Sequence, residues 1–114
     1  MIPTSLRMAK SDFNFIFLKK SELRLFLPSF VVNFYSNPWG ILKFSVIVSK
    51  KNISKASHRN LVKRRIKHLI NLNKNKITPG YYVFVIKNNL QVTNLTYEKL
   101  SSDFYSFLSK VSKS

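Results

Sequence analysis

Leu42-Lys43-Phe44-Ser45-Val46-Ile47-Val48-Ser49-Lys50-Lys51 is followed, after five more residues, by Ser57-His58-Arg59-Asn60-Leu61-Val62-Lys63-Arg64-Arg65-Ile66-Lys67-His68-Leu69-Ile70. In the first stretch Phe44, Val46 and Val48 fall on one side and Ser45, Ile47 and Ser49 on the other, which is the period of a strand over residues 42–49. In the second stretch the period lengthens. Val62, Ile66, Leu69 and Ile70 recur at helical spacing and predict an amphipathic helix over residues 57–72.

Working outward, Asn37-Pro38-Trp39-Gly40 is the clearest turn signal in the chain and precedes that strand. Before it lie two β-rich pieces, 23–27 and 30–35, separated by Pro28-Ser29. Ser11 and Asp12 are candidate caps for a first helix carrying Phe13, Ile16, Phe17 and Lys20, with Phe15 off that face. Beyond the long helix, 71–76 is polar, and Pro79-Gly80 turns the chain into residues 81–87, apolar on both faces as in a covered central strand. Tyr97, Leu100, Phe104, Phe107 and Leu108 outline a last helix. The order is α-β-β-β-α-β-α, with no repeat or linker. It predicts a single α+β domain spanning 1–114, a central mixed sheet flanked by helices.

Charge narrows the function. Twenty Lys and Arg stand against four Asp and Glu, a formal net charge of +16. A folded domain with that imbalance repels itself until a polyanion neutralises it. Nucleic acid is the usual polyanion; an anionic membrane surface and a merely solvated basic face are the alternatives. No cysteine is present, which excludes disulfides and thiolate zinc sites and suits a cytoplasmic protein. No apolar run approaches membrane-spanning length, so no membrane association is expected.

On the helix the cations are not scattered. At roughly 100° per residue, Arg59, Lys63, Lys67, Asn60 and Arg64 sweep one continuous face beside the apolar stripe, with Lys50, Lys51 and Lys55 on the approach. A solvated face normally mixes Glu with Lys, yet no acid lies between Glu22 and Glu98. Long cationic side chains along one helix face suit a phosphate backbone.

Ser49-Lys50-Lys51, Ala56 and Arg59-Asn60-Leu61-Val62-Lys63-Arg64 together resemble the signature of the bacterial ribonuclease P protein family: S-K-K, a spacer of about seven residues, then R-N-R-x-K-R on a helix. Asp12-Phe13-Asn14-Phe15-Ile16-Phe17 is similar to that family's first helix, residues 82–87 to its penultimate strand, and Leu95-Thr96-Tyr97-Glu98 to the start of its last helix. Leu61 replaces the second arginine of the R-N-R core, Lys67 stands where Arg is frequent, and Ser45 where Gly is frequent.

The resemblance implies a left-handed β-α-β crossover and two RNA partners, a ribonuclease P catalytic RNA and precursor tRNA, with no protein partner required. It implies that the RNA carries the endonucleolytic chemistry and holds Mg²⁺, while the protein binds none alone and has no catalytic residue. Lys50, Lys51, Lys55, Arg59, Asn60, Lys63, Arg64 and Lys67 are then the contacts to catalytic RNA. Phe13, Phe17 and Lys87 contact the 5′ leader, although a Phe pair at helical spacing equally suits a core. Tyr81 and Tyr82 read as strand packing, and His58 and His68, lacking carboxylate partners, as surface residues. Four acids, none paired at i, i+4, argue against a protein-borne two-metal nuclease. The alternative is a ribosomal or other structural RNA-binding protein, which shares charge, size and mixed fold without needing the S-K-K…R-N-x-x-K-R constellation.

Overall fold

The computed structural model describes residues 6–17, 19–48, 55–86 and 97–111. Its elements are α1 (Lys10–Ile16), β1 (Leu23–Phe26), β2 (Phe30–Tyr35), β3 (Leu42–Ile47), α2 (Ala56–Asn73), β4 (Gly80–Ile86) and α3 (Tyr97–Val111), with a 3-10 turn at Lys74–Lys76 after α2. This is the expected α-β-β-β-α-β-α order. The strands form one mixed sheet in the order β1-β2-β4-β3: β4 is antiparallel to β2 and parallel to β3.

Alternation along the strands divides the core between two faces. Phe30, Val32, Phe44, Val46, Tyr82, Phe84 and Ile86 point to one side, where Val62, Ile66, Leu69 and Ile70 of α2 and Leu100, Phe104 and Phe107 of α3 bury them. Tyr81 and Val83 point to the other side and pack against Ile16 of α1, with Phe15, Tyr35 and Val85 around them. The central strand is thus covered on both faces, as its doubly apolar sequence predicts. Gly80 opens β4 at φ 152°, and a Cβ there would collide with the Phe34 ring, so only glycine suits this corner.

At the start of α1 the cap differs from expectation. Ala9 occupies the N-cap, and Ser11 and Asp12 lie inside the helix. Asp12 reaches back from the third helical position to accept the Ala9 N–H at 2.7 Å, one half of a capping box. The same carboxylate accepts the Tyr81 hydroxyl at 2.8 Å and pairs with Lys43 at 3.0 Å, tying α1 to β4 and β3. Asp12 and Ile16 therefore face the sheet, and Phe15 follows them inward rather than falling off the packed face. Asp103 plays the matching part on the other side, accepting the Ser29 N–H at 3.0 Å and the Ser29 hydroxyl, which locks the β1–β2 turn onto α3. Asn73, expected in a polar loop, extends α2 by donating its amide to the Leu69 carbonyl at 2.8 Å.

Burial pushes the Asp12 carboxyl up, but the Ala9 N–H, the Tyr81 and Lys43 hydrogen bonds and the Lys43 charge together hold it below its ordinary value of 3.8. The Tyr81 hydroxyl is pushed up to about 12 by burial and by donating to that carboxylate. A carboxyl depressed on folding contributes stability that is present above its unfolded pKa and lost as pH falls through the folded value. Urea denaturation should therefore show stability falling below about pH 4, and Asp12→Asn should flatten that acid limb while costing about 2 kcal/mol at neutral pH. An unchanged acid limb in the variant would show that this carboxylate does not hold α1 down.

Candidate nucleic-acid interface

α2 is built to present its cations. Val62, Ile66, Leu69, Ile70 and Asn73 are buried against the sheet and α3, which fixes the rotation of the helix about its axis. Arg59, Lys63 and Lys67 then lie half-buried at the edge of the packed stripe, and Asn60 and Arg64 stand exposed beyond them. The five side chains form the continuous sweep that the helical period predicts. Lys55 is the N-cap, exposed. Lys50 and Lys51 lie outside the described residues, as does Lys87. Leu61, on the opposite flank from Lys63, is half-buried.

A residue missed in the sequence completes this surface. Arg7 bridges to Phe44 beside the free edge of β3, secured by the Met8 N–H donating to the Phe44 carbonyl at 3.1 Å. Arg7, Lys63 and Lys67, with Ser45 at the floor, line a cleft of about 140 Å³ between this N-terminal segment and α2. Burial, then the Arg7 and Lys63 charges, hold the Lys67 ammonium below its ordinary value of 10.5. Three cations sharing one concave place are mutually unfavourable until an anion enters. The bridge at Arg7 brings it there; a single arginine between Leu6 and Met8 carries no periodic signal.

Acids are absent from this region because the fold employs them elsewhere. Asp12 and Asp103 serve the internal ties described above, Glu22 accepts the Ser36 hydroxyl at 2.5 Å, and Glu98 sits in the first turn of α3. Among the described residues no three His, Asp or Glu side chains converge on a possible metal position.

The opposite face of the sheet carries a second surface. Phe26, Val31, Val85 and Ile47 are register partners in one row across all four strands, on the side that α1 covers only in part. Phe26 is 67% and Ile47 43% exposed. On α1, Phe17 is 81% exposed and Phe13 36%. Phe17 is therefore outside the core and available to a ligand, while Phe13 is at the margin. His58 is half-buried and His68 exposed.

Among the described residues no helix is long and apolar enough to cross a membrane. The fold is shared with ribonuclease P proteins of known structure: that of Thermotoga maritima superposes with TM-score 0.76 at 24% identity, covering 92% of this chain and 96% of the other. The Staphylococcus aureus protein gives TM-score 0.72 at 21% identity over 96% and 100% of the two chains. In sequence, a ribonuclease P protein component of Phytoplasma australiense is 35% identical over 94 residues, 81% of this chain and 79% of that protein. A model of the ribonuclease P family matches residues 3–112, and the chain belongs to that protein family.

Proposed function

We propose that this chain is the protein subunit of ribonuclease P, which binds the catalytic RNA and the 5′ leader of precursor tRNA and assists endonucleolytic removal of the leader. The observation that carries this reading is the separation of two surfaces by the sheet. On one side, the acid-free cationic face of α2, joined by Arg7, suits the phosphates of a structured RNA. On the other, the exposed Phe17 and the row from Phe26 to Ile47 suit an unpaired strand, whose bases stack on rings and pack on apolar surface.

The roles follow from the chemistry of each group. Arg59 and Arg64 offer planar forks for two phosphate oxygens, and Lys63, Lys67 and Lys55 act as point charges. Asn60 donates and accepts beside them, at a position where a hydroxyl or base edge is a suitable partner. Lys50, Lys51 and Lys87 lie outside the described residues; the family resemblance assigns the first two to the catalytic RNA and Lys87 to leader phosphate. Asp12 and Asp103 are committed to the fold and the described acids do not converge, which supports a division in which Mg²⁺ and the hydrolytic step belong to the RNA partner. The protein's share is to neutralise phosphate repulsion and hold the leader in place.

Reconstitution with the cognate catalytic RNA and a precursor tRNA at low Mg²⁺ tests the proposal. Cleavage faster than with RNA alone is expected; no gain would sink it in favour of a structural RNA-binding role. Arg64→Ala, Lys63→Ala and Arg7→Ala are each expected to weaken RNA binding and to reduce the slope of log K against log salt by about one unit. An unaltered slope in all three would remove α2 and its cleft from the interface. Phe17→Ala should weaken precursors with long leaders by about tenfold while leaving mature tRNA and thermal stability unaffected, since so exposed a ring contributes little to packing.

A further inference from the structure

α1 divides its face of the sheet into two flanks. With Asp12 and Ile16 turned to the sheet, Phe13 and Phe17 project to one side and Ser11 and Phe15 to the other. The second flank is not needed for the leader contacts described above, yet it is shaped. Ser11, Asp12, Phe15, Trp39, Ile41, Lys43 and Tyr81 surround a cleft of about 380 Å³. That volume is within the range that encloses a small planar ligand.

Trp39 is the feature of interest. It is 57% exposed, although its ring meets Phe15 at 5.1 Å between centroids. Phe15 in turn meets Tyr81 edge-on at 5.9 Å. The loop that carries Trp39 is held by one side chain: Asn37 Oδ1 accepts the N–H groups of Trp39 and Ile41, both at 3.1 Å, and Asn37 Nδ2 donates to the Ile41 carbonyl at 2.8 Å. Gly40, at φ 62°, allows the tight turn between them. A large indole displayed on a loop this constrained loses little freedom when something stacks on it. The Lys19 ammonium lies 4.2 Å from the Phe15 ring centre. At the cleft wall the Lys43 ammonium pairs with the Asp12 carboxylate at 3.0 Å, and that carboxylate also accepts the Ala9 N–H and the Tyr81 hydroxyl.

We infer that this cleft is a second single-strand subsite, in which an unpaired nucleobase of the leader stacks on Trp39 while the Lys19 ammonium, beside Phe15, faces its phosphate. A flat π surface with an anionic backbone satisfies both halves of the site, the exposed indole and the neighbouring ammonium. The leader is favoured over the catalytic RNA because the cleft shares its sheet face with Phe17 and the apolar row, whereas α2 is on the opposite face. The inference rests on the RNA-binding function proposed above.

Trp39 is the chain's one tryptophan, so its emission reports on this cleft alone. Titrating the full-length chain with a single-stranded oligoribonucleotide should quench that emission by roughly half or more through stacking, and an abasic oligomer of equal length and charge should not. Equal effects of the two, or no quenching, would overturn the inference, as would full quenching by the catalytic RNA in the absence of precursor. In the reconstituted holoenzyme, Trp39→Leu should weaken binding of long-leader precursors about tenfold, with Trp39→Phe within about threefold of wild type. A loss of equal size on mature tRNA would point to a structural role instead. The broader function fails differently, by absence of any protein-dependent gain in cleavage.

Discussion

The parallel pairing of β3 with β4 is the constraint on which the rest of the molecule depends. Parallel neighbours cannot be joined by a hairpin, so the chain must travel back along the sheet before β4 can begin. The 18 residues of α2 span about 27 Å, ample for that return past a strand of six residues. Because α2 is long and must bury one stripe, its remaining surface is equally long and is set at a fixed rotation. The cationic sweep from Arg59 to Lys67 inherits that rigidity. A loop could have carried the same charges but not the same spacing.

Covering β4 on both sides divides the labour of the two sheet faces. α2 and α3 together seal one face, where the Phe107 ring contacts both Phe84 and Phe104. The seven-residue α1 is too short to seal the other, and what it leaves open is an apolar row edged by aromatic rings. Asp12 compensates for the small contact area of α1 by tying the helix to two strands at once. That commitment of a carboxylate to packing is repeated by Asp103 at Ser29, and neither acid lies on the α2 face.

Much of this was legible from residue pattern. The alternation of Phe44, Val46 and Val48 and the spacing of Val62, Ile66, Leu69 and Ile70 located β3 and α2 because burial imposes the period directly. The rotation of the basic face followed from the same stripe. Other features were hidden because they depend on tertiary contacts. Arg7 joins Lys63 and Lys67 only after the N-terminal segment reaches the edge of β3. Phe15 turns inward because Asp12, besides capping the first turn, finds Tyr81 and Lys43 across the sheet. The exposure of Phe17 could not be separated from burial by spacing alone, since a ring at that position suits either. Trp39 stood in a recognisable turn, but its neighbours come from α1, β3 and β4, which no local pattern connects.

The scarcity of acids has one more consequence, which concerns supply. At a net charge of +16, no acid lines the cleft where Arg7, Lys63 and Lys67 repel one another. A polyanion that binds only the folded form adds stability in proportion to the logarithm of its concentration over its dissociation constant. With RNA as that polyanion, the function proposed above, the bound chain gains stability that the free chain lacks, and the gain grows with the RNA supplied.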